Sequence, residues 1–344
     1  IFIYDLGGNK LEKVGKQTIK FNNPPTIVDC ASIVGPKEAK GPLSKYFDQT
    51  LDDEFWGEKT WEKAESKIIK ETVNTVISKS GIPSTQIDCM FAGDLLNQCI
   101  SSSFGLRELG IPFFGVFGAC STFVESLSLG AICAESFANN VLCATSSHFC
   151  SAEKQFRFPL ELGNQRPPTS QWTVTGAGSA ILSKNGNGPY ITHITPGKII
   201  DFGIKDGNNM GAAMAPSFAD TLMTHLLDTG RNPSYYDAII SGDLGYIGKN
   251  IAIDILKSNG YNIKSNYNDC GVLIFDKESQ DTHSGGSGCA CCGTVFSGYL
   301  FKQLKARKIK RLLLIATGAL MNSTTSQQGE SIPGIAHAIS IETF

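Results

Sequence analysis

A sharp turn that carries a cysteine is the feature that most constrains this chain. Residues 113–117 are almost wholly apolar, Gly118-Ala119-Cys120 closes the run, and residues 123–139 are mostly apolar on every face. The pattern predicts a strand, a tight turn and a buried helix with Cys120 at its N-terminus. A helix N-terminus lowers the pKa of a thiol and offers backbone N–H groups to an anion. Cys120 is therefore predicted to be a nucleophile or part of a ligand pocket.

The composition is that of a globular protein with a sizeable core. Of 344 residues, 41% are hydrophobic and 18% are charged, and the formal net charge is −2. This balance argues against disorder and against a global field that recruits nucleic acid. No apolar stretch approaches the roughly 18 residues of a membrane span, and residues 1–5 lack the features of a signal peptide. We expect a soluble chain with no nucleic-acid partner, which leaves room for peripheral attachment to a membrane complex.

The eleven cysteines are predicted to be reduced thiols. Several of them lie in apolar, strand-like runs, where a free cysteine packs as a small hydrophobe: Cys30, Cys89, Cys143 and Cys270. Residues 289–292 contain three cysteines, but these are too close together for a tetrahedral zinc site and have no second cluster of matching spacing. We therefore predict no metal site and no resident cofactor.

Strands and helices alternate along both halves of the chain, which predicts an α/β fold with parallel sheets between helices. In the first half, the predicted strands are 26–35, 86–93, 113–117, 140–145 and 172–183, and the helices are 60–79 and 123–139. In the second half, the strands are 190–202, 237–242, 272–275, 311–318 and 336–341, and the helices are 216–230, 247–257 and 289–305. The shared rhythm indicates an internal duplication. The turn-rich residues 184–189 place its boundary, giving halves of residues 1–187 and 188–344.

Three motifs stand out in the chain: residues 92–98 (AGDLLNQ), 117–122 (FGACST) and 282–289 (THSGGSGC). The duplicated α/β pattern with Cys120 at the start of its buried helix resembles the thiolase superfamily, and the three motifs most closely resemble the stage V sporulation protein AD family of spore-forming Firmicutes. The resemblance implies a thiolase-like fold of duplicated βαβαβ layers, a five-layered α-β-α-β-α sandwich, assembled as a homodimer. It also implies binding of dipicolinic acid (pyridine-2,6-dicarboxylic acid) and its movement, with calcium, into the developing spore. The implied partners are the other stage V sporulation A membrane proteins at the forespore or spore inner membrane.

The same resemblance places Cys120 at the nucleophile position and His283 at that of the thiolase loop histidine. Two other catalytic positions are changed: residues 242–245 have no His or Asn at their head, and Thr317 replaces the terminal cysteine. Thiolases use that pair of groups to stabilise an enolate and to move the proton. We therefore predict a pocket that binds without catalysing. The alternative is an acyl-thioester transferase or condensing enzyme with Cys120 as acyl acceptor, and a third interpretation is a vestigial pocket on an interaction protein.

The predicted ligand-binding residues are Cys120, His283, Asp94, Asp243, Arg157 and Gly286. Asp94 and Asp243 end strands, where open α/β sheets place ligands. They would repel a dianion unless one is protonated or calcium bridges them as part of the chelate. Arg157, flanked by two phenylalanines and near Lys154 and Arg166, would grip a carboxylate. The glycines around Gly286 would let the His283 loop approach a ligand closely. Each residue also has a structural alternative, as a cap, a packing residue or a surface loop.

Overall fold

In this computed structural model, residues 11–156 and 166–344 are described. The strands are β1 (Glu12–Val14), β2 (Thr18–Lys20), β3 (Thr26–Val34), β4 (Gln49–Thr50), β5 (Cys89–Gly93), β6 (Phe113–Gly115), β7 (Asn140–Ser147), β8 (Trp172–Thr173), β9 (Gly176–Ser183), β10 (Tyr190–Thr195), β11 (Ala238–Ser241), β12 (Tyr267–Asp269), β13 (Gly286–Ser287), β14 (Arg311–Ala319) and β15 (Gly334–Glu342). The α-helices are α1 (Trp61–Ser80), α2 (Ile100–Leu106), α3 (Thr122–Ser136), α4 (Phe149–Phe156), α5 (Met210–Thr229), α6 (Gly245–Ser258), α7 (Cys270–Ile274), α8 (Cys289–Val295), α9 (Phe301–Lys305) and α10 (Ser323–Gln327). A π-helical segment (Phe296–Leu300) joins α8 to α9, and short 3₁₀ helices lie at Glu38–Lys40, Ser44–Tyr46, Ser84–Gln86, Asn97–Cys99, Arg107–Leu109 and Pro233–Tyr235.

The large sheet has the same strand order in both of its halves. From the outer edge inward, the first half runs β6-β5-β7-β9-β3 and the second half runs β12-β11-β14-β15-β10. In each half the two outer pairs are parallel and the next two are antiparallel. The sheet is therefore mixed rather than purely parallel, because the last strand of each half returns beside its neighbour without a crossover. The predicted boundary at residues 187 and 188 falls between β9 and β10, and the division into halves there stays a prediction.

Alternate residues of the strands face different helix layers, as the two-residue period of a strand requires. In β14, Leu312 and Leu314 pack in the central core with Phe123 of α3. The intervening Leu313 packs in an outer core with Phe218 of α5. A third core joins α1 to the opposite face of the first half of the sheet. Three helix layers thus alternate with two sheet layers, which confirms the predicted five-layered fold class.

Four predicted elements differ from the structure. The strand predicted at 190–202 ends at Thr195. Residues 272–275 belong to the end of helix α7 and the residue after it, because the Asp269 side chain caps that helix by accepting the Val272 N–H at 3.1 Å. Residues 172–183 form two strands in different sheets, since β8 pairs with β13 and not with the large sheet. Helix α5 begins at Met210, so that Pro216 lies inside it. Among the described residues, no helix is long and apolar enough to cross a membrane.

Candidate functional site

Cys120 lies in the tight turn between β6 and α3, as the sequence predicted. The preceding Ala119 has a φ of 51°, a left-handed conformation that is unfavourable for a residue with a side chain. Two hydrogen bonds hold the turn. Ser121 Oγ donates to Gly118 O at 2.7 Å, and the Gly118 N–H donates to Thr122 Oγ1 at 3.0 Å. Cys120 therefore stands two residues before the helix, and its side chain is buried.

The turn is supported from behind by Gly318 of β14. A Cβ atom at Gly318 would lie 2.3 Å from the carbonyl oxygen of Gly118, which is far inside van der Waals contact. Only glycine fits there without moving the cysteine turn. Gly318 therefore allows β14 to approach the cysteine turn closely. The preceding residue, Thr317, brings a hydroxyl group to the same region.

A buried polar cluster of Asp243, Ser287 and Thr317 adjoins Cys120. Asp243 follows β11 at the head of α6, Ser287 ends β13 before α8, and Thr317 lies in β14. The Asp243 carboxylate accepts hydrogen bonds from Ser287 Oγ at 2.9 Å, Thr317 Oγ1 at 2.9 Å and the Gly288 N–H at 3.1 Å. The Cys120 Sγ lies 3.8 Å from Ser287 Oγ. The second half of the chain thus supplies the polar neighbours of a cysteine from the first half.

The electrostatics of this cluster keep the Cys120 thiol protonated. Burial raises the pKa of Cys120 well above its usual value, and the Asp243 carboxylate beside it raises the pKa further. Burial also raises the pKa of Asp243 to about 6, against the hydrogen bonds that favour its charged form. The expectation that the helix N-terminus would lower the pKa of Cys120 is therefore wrong. Loss of water and a neighbouring negative charge outweigh the helix dipole.

The cavity in front of Cys120 is small and mostly apolar. Its free volume is about 40 Å³, and a single water requires roughly 10–15 Å³ by the same kind of measure. Its wall contains Leu95, Phe117, Ala119, Cys120, Ala152, Glu153, Phe156, Thr173, Met210, Ser287, Ala319 and Met321. No Lys or Arg is among these described residues. The wall therefore suits an aromatic ring better than a carboxylate, and a ring would enter only after side chains move apart.

The structure places His283 away from the Cys120 cavity. His283 lines a separate, open cavity of about 590 Å³, together with Tyr246, Lys277 and Asp281. Its Nε2 lies 3.4 Å from Asp281 Oδ1, and its φ is 52°. Among the described residues, the polar side chains beside Cys120 are the Asp243 carboxylate and the Ser287 hydroxyl, and His283 is not one of them. A role for His283 in binding a ligand stays a prediction.

Asp94 and Asp243 make their hydrogen bonds in different loops. Asp94 is fully buried and accepts hydrogen bonds from the Leu96 N–H at 2.9 Å, the Ser102 N–H at 2.8 Å and Ser102 Oγ at 2.6 Å. Its carboxylate interacts electrostatically with buried Glu65, whose pKa burial raises to about 8. Asp94 therefore fits the structural alternative, a cap of its own loop, and its ligand role stays a prediction.

The remaining predicted residues are less informative. Gly286 pairs with Trp172 in the β8–β13 ladder, and its carbonyl accepts from Gln171 Nε2 at 2.9 Å. It stands next to Ser287 and is not itself in the cavity wall. Arg157 lies outside the described residues. Lys154 makes an exposed ion pair of 3.0 Å with Glu62, as a surface residue would.

The sequence analysis did not predict that Ser287, Thr173 and Glu153 line the Cys120 cavity. Ser287 lies within the 282–289 segment that carries the family resemblance, so the signal was present but was assigned to the neighbouring histidine. Thr173 and Glu153 had no signal, because β8 was not separated from β9 and α4 was not predicted. Thr317 was noted as a changed position, and the structure gives it a partner in Asp243.

Comparison with known proteins identifies the family. The model of the family described as stage V sporulation protein AD (SpoVAD) matches residues 15–342. The chain belongs to this family. Stage V sporulation protein AD of Bacillus subtilis (strain 168) is 42% identical to it over 333 residues, which cover 96% of this chain and 98% of the relative.

Solved structures establish the fold independently. The 3-oxoacyl-acyl-carrier-protein synthase III of Aquifex aeolicus VF5 matches with a TM-score of 0.57 at 12% identity, covering 92% of this chain and 99% of the enzyme. Acetamide-bound OleA of Xanthomonas campestris matches with a TM-score of 0.58 at 13% identity, covering 92% of this chain and 98% of that protein. At these identities the likeness shows the thiolase-like fold alone.

Proposed function

We propose that this member of the stage V sporulation protein AD family is a non-catalytic protein that binds dipicolinic acid, free or as its calcium chelate, and assists its uptake into the developing spore. The observation that carries the non-catalytic part is the Asp243–Ser287–Thr317 cluster. In this cluster a carboxylate with a raised pKa lies beside a protonated thiol. Acyl transfer instead requires a thiolate and hydrogen-bond donors that point at the oxyanion. The proposal of dipicolinate as ligand rests on the family.

The cavity supports a ligand with an apolar core. Its wall is dominated by Leu95, Phe117, Phe156, Met210 and Met321. Methionine side chains are unbranched and repack easily, so we propose that the cavity enlarges around the pyridine ring. The carboxylates of the ligand then need partners beyond this wall, or protonation, since the buried Asp243 carboxylate opposes a dianion.

Titration calorimetry of the purified full chain with dipicolinate, with and without calcium, tests the proposal. We expect saturable binding in at least one condition, and absence of heat in both would overturn it. Ala152→Leu fills the cavity from its wall and should weaken binding. Ala306→Leu makes the same exchange at an exposed position outside the cavity wall and is the matched control, which should bind as the wild type does.

An acyl-thioester enzyme is the second candidate, because Cys120 keeps the strained turn on a fold shared with condensing enzymes. Incubation with acetyl- or malonyl-CoA followed by intact-protein mass spectrometry separates the two. The non-catalytic proposal predicts no adduct. An acyl adduct that disappears in Cys120→Ala would establish the enzyme. If the pocket is vestigial, pocket substitutions will leave the dipicolinate content of spores unchanged.

We further propose that the chain acts as a homodimer, together with the other stage V sporulation A proteins at the forespore or spore inner membrane. The support for a dimer is β6, which is an edge strand of the large sheet in the described part of the chain and whose Phe113 and Phe114 are 37% and 53% exposed. An edge strand with exposed apolar side chains favours pairing with a second copy around a two-fold axis. Light scattering should show a dimer for the wild type and a monomer for Phe114→Asp. Phe137→Asp, at an exposed position just after the end of α3, is the control and should stay dimeric.

A further inference from the structure

Two cations converge on one tryptophan next to the Cys120 cavity. The Lys37 Nζ lies 3.9 Å from the centre of a Trp172 ring, and the Arg166 guanidinium carbon lies 4.8 Å from it. Phe149 stacks on Trp172 with ring centres 3.7 Å apart and planes 6° from parallel. All four side chains are partly exposed, so a ligand from solvent can reach them. We call these four residues the Trp172 cation cluster.

The positive charge of this cluster is only partly neutralised. Arg166 Nη2 donates to Asp281 O at 2.8 Å and lies 3.1 Å from Asp281 Oδ2. Its Nη1 is buried and has no hydrogen-bond partner among the described residues. The Lys37 ammonium makes no hydrogen bond or ion pair within the described part of the chain. Burial is the main cause that lowers the pKa of Lys37. The Arg166 guanidinium lowers it further, because two like charges lie close together.

The nearby acids do not pair directly with all of these donors. Glu38 is fully buried, its pKa is raised to about 8 by burial, and one of its oxygens accepts the Thr175 N–H at 3.0 Å in the core. Glu54, whose pKa burial also raises, interacts electrostatically with Lys37 but forms no ion pair with it. Within the described part of the chain, Asp281 is the one carboxylate at ion-pair distance from either cation. The cluster therefore retains donors, among them the Arg166 Nη1, that an anion would satisfy.

The cluster lies directly behind the cavity wall. Trp172 and Thr173 are consecutive in β8, and Thr173 lines the cavity. Successive side chains of a strand point to opposite faces, so Trp172 faces away from Cys120. Phe149 begins α4, which contributes Ala152, Glu153 and Phe156 to the same wall.

We infer that the Trp172 cation cluster is an anion-binding site that holds one carboxylate of a planar dicarboxylate between Lys37 and Arg166. The inference rests on the proposed function for the identity of the ligand. It places the dipicolinate carboxylate at cations on the opposite side of β8 from the Cys120 cavity, so a ligand bound there is not the one that the cavity would enclose. Lysine and arginine supply charge-assisted hydrogen bonds, and the aromatic pair holds the cations against a rigid surface. The site should accept dicarboxylates with the same carboxylate spacing whether or not the ring contains nitrogen.

Calorimetry in metal-free buffer with dipicolinate and with isophthalate (benzene-1,3-dicarboxylate) tests the inference. Lys37→Met and Arg166→Met should each weaken the binding of both probes about ten- to hundredfold, the loss of one hydrogen-bonded charge. Lys40→Met removes an exposed lysine three residues further along the chain and should change nothing. Asp281→Asn removes the competing carboxylate and should strengthen binding. Thermal melting checks that each variant is folded, and Lys37→Gln or Arg166→Gln replaces the corresponding methionine variant if that variant is not folded.

The outcomes separate this inference from the proposed function. If dipicolinate binds the wild type and both cation variants equally, the inference is wrong and the proposed function stands. If isophthalate binds through Lys37 and Arg166 while dipicolinate does not bind at all, the anion site stands and the proposed function falls. If neither probe binds the wild type in metal-free buffer, the inference is overturned, and the proposed function falls as well if dipicolinate with calcium also gives no heat.

Discussion

Replacing Asp243 by asparagine should change how the stability of the protein depends on pH. In the folded chain, burial raises the pKa of Asp243 from 3.8 to about 6. Below pH 3.8 the carboxyl group holds its proton in both states and contributes nothing. Between pH 3.8 and 6 unfolding releases that proton, so the folded state loses stability as the pH rises. Above pH 6 this loss of stability is complete. Asp243→Asn has no ionisable group at this position, so its stability does not fall for this reason.

The size of the effect follows from the two pKa values. A pKa of about 6 in the folded state and 3.8 in the unfolded state gives a loss of about 2 kcal/mol between pH 4.5 and pH 7.5 for the wild type. Asparagine can keep an oxygen where Ser287 and Gly288 donate, but it then presents an N–H₂ group where Thr317 donates, so the variant also loses stability at every pH. That second loss is independent of pH and shifts the whole curve without changing its slope.

Urea unfolding at pH 4.5, 5.5, 6.5 and 7.5 measures the difference between variant and wild type. The free energy of unfolding of Asp243→Asn, relative to the wild type, should rise by about 2 kcal/mol across this range. Other titrating carboxyls are present in both proteins and cancel in the difference. Asp52→Asn removes an exposed carboxylate and is the matched control. A flat difference for Asp243→Asn would refute the argument, because it would mean that Asp243 is not a buried acid with a raised pKa.

Two further predictions concern the cysteine turn. Iodoacetamide should alkylate Cys120 far more slowly at pH 7 than a free thiol of ordinary pKa, and Asp243→Asn should speed the reaction by removing the negative charge. Peptide mass spectrometry measures both rates. Fast alkylation of the wild type would contradict a protonated thiol. Gly318→Ala should lower the free energy of unfolding by roughly 1–3 kcal/mol, since the added Cβ would meet the Gly118 carbonyl. In the control Gly207→Ala, the added Cβ meets only the flexible end of Met321, so thermal melting should show almost no change. Equal losses in the two variants would show that the contact between Gly318 and Gly118 does not exclude a side chain.

The sequence predicted the fold well because the buried layers leave strong periodic signals. The predicted helix at 60–79 is α1 within one residue, with Thr60 accepting the Lys63 N–H as its cap. The predicted helix at 289–305 is the continuous run of α8, the π-helical segment and α9. Errors came where capping overrode composition, as at the apolar residues 272–275, which Asp269 converts to helix.

The site was predicted less well, because it is assembled from segments far apart in the chain. Cys120 was found from its local turn, which is set by neighbouring residues. Asp243 was found from its place after a strand, but its partners Ser287 and Thr317 are defined only by three-dimensional contact. His283 and Ser287 are four residues apart, and no periodic pattern indicates which of them faces Cys120.

The equal strand order of the two sheet halves has a consequence for the origin of the site. Cys120 follows a strand of the first sheet half, whereas Asp243, Ser287 and Thr317 all come from the chain after β10, so neither part of the chain holds all four residues by itself. The site therefore exists only where the two parts pack against each other. Two separately expressed fragments, cut in the loop between β9 and β10, would regain the constellation only by reassociating.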